Sequence, residues 1–407
     1  MMQLNYLALA VPLFTGFMLL EYAVAVKRNQ QQLFTFDEAV ANVNVGIAER
    51  LSDLFTTGLF YYFFAWIHTN FALFDIKPNW FTWIALFLFT DLLWYWYHRF
   101  GHEVNLFWSL HVVHHQSDDF NYTVAARITV LQSAARSLFW AFLPLLGFPP
   151  QMITTLLLIH GAYPFFTHTQ LVGKLGWLEY LFVTPSHHRV HHSSNPQYLD
   201  KNYGDVLIIW DKLFGTFAKE EEQPTYGLTK PLNSHSFLWQ HFHFILEILV
   251  SFKRAATIKG KWRSIFGKPD DIDARIRSGL ERKFSRKEYE LSQTKAVRNY
   301  IKWQTIISLL LLFAVILFEH YLQLLQLVTA ALFIILSVIT TGAMLEQRRW
   351  IVFLEYARIG LAGIFIYFCY PSYSISILIL LLLTVLLLFY KTIGQRYNGY
   401  LYTSIRS

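Results

Sequence analysis

Trp80 to His102 reads WFTWIALFLFTDLLWYWYHRFGH. Between Trp80 and Tyr97 the one charged residue is Asp91. A helix of ~20 apolar residues, at 1.5 Å each, matches the ~30 Å hydrocarbon layer of a bilayer. The stretch therefore predicts a membrane span over 80–98. It ends in His98 and His102, an i,i+4 pair that shares one helical face. Asp91 lies seven residues before His98 on that same face. An ionisable side chain inside a span is costly and is functional or paired. Asp91 is thus a candidate to take a hydrogen bond from a ligand imidazole and fix its tautomer.

Outward from this span, the chain repeats the apolar pattern. Runs at 4–26, 53–75, 128–146, 150–170, 300–318, 320–342, 350–370 and 373–391 bring the expected count to about nine crossings. Gly147-Phe148-Pro149-Pro150 cannot continue a helix and predicts a tight turn between two of them. The first run has no basic residue before it and is long for a signal sequence, so a retained helix is expected. The composition agrees: 54% of the 407 residues are hydrophobic and 18% aromatic, and Trp and Tyr favour membrane–water interfaces. The fold class expected is all-α, a multi-spanning helix bundle with a histidine-rich cap on the cytoplasmic side. Cys369 is the sole cysteine, which excludes an intrachain disulfide.

Positive charge orients the bundle. Lys27, Arg28 and Arg50, the segments 99–127 and 171–299, Arg348 and Arg349, and the tail with Lys391, Arg396 and Arg406 fall on one side of a nine-span plan. The alternate loops are nearly free of Lys and Arg. The N-terminus is then outside and the C-terminus cytoplasmic. The net charge is +7, and Lys253 to Arg298 alone holds 14 Lys/Arg against 6 Asp/Glu. In so apolar a chain this stretch reads as a basic loop beside anionic lipid, not as a nucleic-acid surface. The chain divides into a membrane-embedded portion with the chemistry (1–252), the basic linker (253–298) and a C-terminal four-helix block (299–407).

Nine of the 16 histidines cluster. They are His98 and His102; His111, His114 and His115; and His187, His188, His191 and His192. Each cluster has helical i,i+3 or i,i+4 spacing, which aims several imidazoles at one point. The charge rule puts all three on the cytoplasmic side. Imidazole suits Zn, Cu, Fe and Ni, and nine exceed the ligands of one ion. Two metals with about four to five His each are expected. His168 closes the fifth span at the same depth and is a tenth candidate. Glu103, directly after His102, is a candidate ligand, cofactor contact or partner of Arg99 or Arg127. His68, His160, His235, His241, His243 and His320 read as ordinary hydrogen-bonded residues. A metal transporter would place its ligands near the midplane of broken helices, whereas these stand at span ends.

The boxes H-x3-H, H-x2-H-H and H-x2-H-H resemble those of the fatty acid hydroxylase / sterol desaturase superfamily. The likeness extends over about 85–245, through Trp96-Tyr97-His98-Arg99, Thr184-Pro185-Ser186-His187-His188-Arg189-Val190-His191-His192, Asp200-Lys201-Asn202-Tyr203-Gly204, the stretch 206–217 and Tyr226-Gly227-Leu228-Thr229. The resemblance implies a di-iron centre that activates O2 against a lipid C–H bond. The longer stretches and the additional C-terminal helices point to an ether-lipid branch of the superfamily. That branch implies an alkylglycerol substrate, tetrahydrobiopterin as reductant, and a role for Glu103 at the pterin. The alternative is a sterol or fatty-acyl desaturase or hydroxylase fed by a separate redox protein. Many members carry a further H-x3-H before the last box; here position 164 is Pro and only His168 remains. Asp200, Asn202, Tyr203 and Asp211 are expected to hold the cap together. The membrane is the inner membrane in a bacterium or the endoplasmic reticulum in a eukaryote.

Overall fold

The computed structural model describes residues 4–284, 294–348 and 350–401. Part of the basic linker (285–293), and Arg349 and Arg406 of the charge asymmetry, lie outside the described residues. The chain is all-helical, with no strand among the described residues and one isolated bridge between Phe182 and Leu207. In order, the helices are α1 (Ala10–Lys27), α2 (Phe36–Phe71), α3 (Trp80–Glu103), α4 (Asn105–His111), α5 (Tyr122–Ala125), α6 (Gln132–Trp140), α7 (Phe142–Leu146), α8 (Pro150–Ala162), α9 (Pro185–His191), α10 (Ile209–Phe214), α11 (Phe237–Arg254), α12 (Ile258–Phe266), α13 (Ala274–Phe284), α14 (Lys295–Leu317), α15 (Leu324–Leu345), α16 (Ile351–Cys369), α17 (Tyr373–Leu388) and α18 (Tyr390–Leu401).

Among the described residues, four helices are long and apolar enough to cross a membrane: Tyr6–Lys27, Lys295–Leu317, Leu324–Leu345 and Ile351–Cys369. The pair α17–α18, bent by 75°, makes a fifth if it is one broken span. Of the remaining apolar runs, 80–98 forms one continuous helix, α3, of 24 residues that falls outside this set, and the others take different forms. α2 begins 17 residues before its apolar run and reaches 36 residues, ~54 Å against the ~30 Å of a bilayer core. Its first half is polar but buried, with Asn42, Asn44 and Glu49 inside the protein. Asn42 binds Ser117, Thr123 and Arg127 beside the histidines.

The runs 128–146 and 150–170 form a broken hairpin. α6 and α7 have nine and five residues, and α8 has 13 before Pro164 tightens the chain into a 3-10 turn, Tyr163–Thr167. Gly147 turns the hairpin with φ +111, a left-handed conformation natural only to glycine. A Cβ there would overlap the Phe74 carbonyl, because the turn packs on the end of α2, where Leu73 N–H donates to Leu145 O at 2.9 Å.

Two apolar clusters position the site. One, with Leu86, Trp140, Leu143 and Ile153, sits between α3, α6, α7 and α8. The other joins Ile47 and Leu51 of α2 to Phe244 of α11, Leu312 of α14 and Ile334 of α15. Through α2 the C-terminal helices therefore share a core with the portion that carries the histidines.

Candidate metal centre

The clustered histidines converge from four places: the end of α3, the end of α4 and the turn after it, the 3-10 turn after α8, and α9. They form two groups in which every ligand atom lies within 4.8 Å of the others: His98, His102, His111, His115 and His191; and His114, His168, His188 and His192. The groups adjoin, with the His115 and His192 rings 4.3 Å apart.

Local structure decides which imidazoles reach the centre. α9 opens with Thr184 as N-cap and Pro185 at the first helical position. Three residues on, the ring of His187 accepts the Thr184 N–H, at 3.3 Å, as a capping box does. His187 is thereby the one residue of the four-histidine box outside both groups; its ring stands against Phe217. The sequence Thr-Pro-Ser-His carried that signal. His168, whose spacing fits no box, is inside. Because the chain is in a 3-10 turn, the His168 amide bonds Phe165 O and not Pro164 O, which accepts the Thr167 hydroxyl at 2.8 Å. His168 Nδ1 donates to that carbonyl at 2.7 Å.

This pattern recurs and fixes tautomers. A backbone carbonyl only accepts, so a ring nitrogen facing it carries the proton and the other nitrogen keeps its lone pair. His98 Nδ1 donates to Tyr203 O (2.8 Å), His114 Nδ1 to Arg127 O (3.1 Å) and His191 Nδ1 to Lys201 O (3.0 Å). In all four the Nε2 lone pair is directed into its group.

The decisive contact is His114 Nε2 to His168 Nε2, 3.1 Å apart. Both nitrogens are unprotonated by the preceding argument, so no hydrogen bond joins them. Two ligands held ~2.1 Å from a shared cation at a right angle stand ~3 Å apart. His98 and His115 each approach His111 Nε2 similarly, at 3.0 and 3.1 Å, and His188 approaches His168 at 2.9 Å. His102, His191 and His192 have buried Nε2 atoms without a hydrogen-bond partner. A cation removes these deficits together; an added proton does not. Burial first, then neighbouring imidazoles, holds His111, His114, His115, His188, His191 and His192 well below the usual imidazole range. The residues fit two nitrogen-ligated metal ions.

Asp91 is buried but reaches neither group. Its carboxylate accepts the backbone N–H groups of Val206 (3.0 Å) and Leu207 (3.2 Å) and the Trp210 indole N–H (2.8 Å). Beside it lies a third cluster, Asp91, His160 and Asp205, in which His160 Nδ1 is 2.7 Å from Asp205. His160, read from sequence as ordinary, is fully buried. Glu103 is partly exposed at the edge of the centre and accepts from Arg99 Nε at 2.9 Å.

A family model for fatty acid hydroxylases matches residues 83–216, the interval that holds all ten candidate ligand histidines. Human alkylglycerol monooxygenase is 35% identical over 363 residues, covering 87% of this chain and 81% of that protein. The Danio rerio alkylglycerol monooxygenase is 32% identical over 370 residues, covering 87% and 80%. An ornithine lipid hydroxylase of Rhizobium tropici is 32% identical over 121 residues, 30% of this chain and 37% of that protein. No solved structure gives a significant match. The chain belongs to the fatty acid hydroxylase family, as an integral membrane protein related over most of its length to alkylglycerol monooxygenases.

Proposed function

We propose that this chain is a di-iron monooxygenase that cleaves the ether bond of alkylglycerols. The observation that carries the metal assignment is the pair of opposed, unprotonated Nε2 atoms of His114 and His168. The likeness to alkylglycerol monooxygenases, in two relatives across four-fifths of their length, carries the substrate. His98, His102, His111, His115 and His191 would hold one iron, and His114, His168, His188 and His192 the other; His187 caps α9.

When bound, the irons supply the activation of O2 needed to hydroxylate a C–H bond. One oxygen atom enters the carbon next to the ether oxygen and the other leaves as water, with two electrons from tetrahydrobiopterin. The resulting hemiacetal collapses to a fatty aldehyde and a glycerol. The protein's part is to keep neutral imidazoles aimed inward and water out of a buried site. Glu103, partly exposed beside the centre, would be the contact for a polar reductant arriving from solvent.

The nine apolar segments are read as crossings, with the broken hairpin α6–α8 among them and the histidines at the cytoplasmic face. α8 and its 3-10 extension together rise ~30 Å, enough to return the chain to His168. In this plan residues 1–252 carry the chemistry, 253–298 connect at the membrane surface and 299–407 serve as scaffold. The membrane is the bacterial inner membrane or the endoplasmic reticulum. The match to the ornithine lipid hydroxylase favours, as a second reading, hydroxylation of another class of membrane lipid; a separate redox protein would then be the electron donor.

Purified protein in detergent, assayed for iron and then incubated with an alkylglycerol, O2 and tetrahydrobiopterin, tests both. About two irons per chain with pterin-dependent aldehyde is expected. Two irons without aldehyde would move the assignment to acyl or sterol substrates. A folded chain that binds no metal would overturn the centre itself.

A further inference from the structure

The two histidine groups are held by different parts of the chain. In the four-histidine group the carbonyl acceptors, Arg127 O and Pro164 O, belong to the backbone around α5 and α8. In the five-histidine group both come from one loop, Lys201 O to His191 and Tyr203 O to His98. Asp200 of this loop lies 3.8 Å from His102 Nδ1. Three of five imidazoles in one group thus face a four-residue stretch, and none in the other group does.

That stretch is held in a conformation it would not adopt alone. Asp200 and Asn202 have φ +58 and +56, left-handed values that cost a side-chain-bearing residue energy. The alternation turns the carbonyls of Lys201 and Tyr203 toward the rings. Buried carboxylates and an amide maintain it. Asp211, at the start of α10, accepts the N–H groups of Tyr203 (2.7 Å) and Gly204 (2.8 Å). Asp91, from α3, accepts those of Val206 and Leu207. Asn202 exchanges side-chain hydrogen bonds with Ala218 and donates to His187 O. A Cβ at Gly204 would press on Leu207 O and Asp211, so the loop has no slack there. These ties converge on orienting His98 and His191, not on closing an apolar core.

We propose that Asp200–Leu207 is an orienting strap for the five-histidine group alone, with Asp211 as its main positioning residue. The two metals can then be emptied separately. This rests on the two-metal reading above. An Asp211→Asn substitution keeps the shape but turns an NH2 toward one of the two N–H donors. That loosens the strap and releases the His98 and His191 rings, while Arg127 O and Pro164 O are untouched.

The test is metal content and spectroscopy of full-length protein in detergent, iron-loaded and dialysed. The expected result is a fall from about two irons per chain in the parent to about one in D211N, with the residual iron showing the signal of an isolated ion. Combined with His102→Ala, D211N should retain about one iron, because both changes empty the same site. Combined with His192→Ala, it should retain about none. If D211N proves too unstable to purify, Thr216→Val removes one of the bonds to Asp211 and should speed loss of one iron to a chelator but not the other. D211N or T216V variants that keep both irons, or lose both in step, overturn the proposal. A parent without iron would instead refute the two-metal reading.

Discussion

Arg189 stands in α9 between His188 and His191, and its side chain is the clasp between that helix and the rest of the cap. Its guanidinium pairs with Glu220 through two bonds, Nε to Oε1 and Nη2 to Oε2, both 2.7 Å. Nη1 donates to Thr169 O (2.9 Å) and Val172 O (2.8 Å), just after His168. The pair is largely buried, with 8% and 14% of the two side chains exposed. Removing one partner of such a pair costs ~3–5 kcal/mol, chiefly by leaving a buried charge uncompensated. Because Glu220 retains some access to water, Glu220→Ala is expected at the low end, about 3 kcal/mol. In a cooperative unit of 150–250 residues that amounts to a fall in melting temperature of roughly 6–12 °C. Glu220→Gln keeps one acceptor and should cost about half as much. The pair also predicts a pH signature. Burial raises the Glu220 pKa, but the Arg189 hydrogen bonds and charge outweigh it, and the carboxyl titrates below its ordinary range. Its contribution is complete above the unfolded value of ~4.3 and is lost as pH falls through the lower folded value. The gap between parent and E220A should therefore close in acid. Thermal melts in detergent and the rate of iron loss to a chelator measure both effects. An E220A protein that melts within a degree of the parent and holds iron equally well would refute the argument that this clasp fixes α9.

Three other outcomes follow from the geometry. The metal-free protein should lose stability as pH drops through ~6.5, because its unfolded histidines take up protons there while the buried ones, held well below that value, do not; melts of chelator-treated protein at pH 8 and pH 5.5 that coincide would contradict this. Gly147→Ala should destabilise by about 3 kcal/mol, combining the left-handed φ with overlap of the immobile Phe74 carbonyl; limited proteolysis of the hairpin reads it. Glu103→Gln should leave iron content unchanged, since the carboxylate is outside both groups, and raise the KM for pterin; unchanged pterin kinetics would remove Glu103 from the reductant site.

Much of the centre was legible because the metal requirement and the helix share one period. His98/His102, His111/His114/His115 and His188/His191/His192 occupy i,i+3 and i,i+4 positions, and the fold brings eight of these together with His168. What escaped the sequence is what spacing does not encode. His187 lies at a ligand spacing and also three residues past a Thr N-cap, and only the local backbone chooses between the two uses. Asp91 was recognisable as a buried charge, but the backbone N–H donors it accepts from begin 115 residues further on, at Val206. The length of α2 was underestimated because its first half has no apolar run: it buries polar residues against Arg127 and Ser117 instead of lipid.

Pro164 shows how one departure from a family pattern can be absorbed. A histidine at 164 would follow the usual box; proline cannot ligate, yet it breaks α8 so that the next turn is 3-10. That break frees Pro164 O from its i+4 amide and gives it to the His168 ring. The loss of one candidate ligand is therefore coupled to the tautomer of another. Four imidazoles owe their inward lone pairs to carbonyls released at irregular backbone, at Arg127, Pro164, Lys201 and Tyr203. Regular helices deliver the rings to the centre, and the interruptions between those helices set which nitrogen is available for the metal.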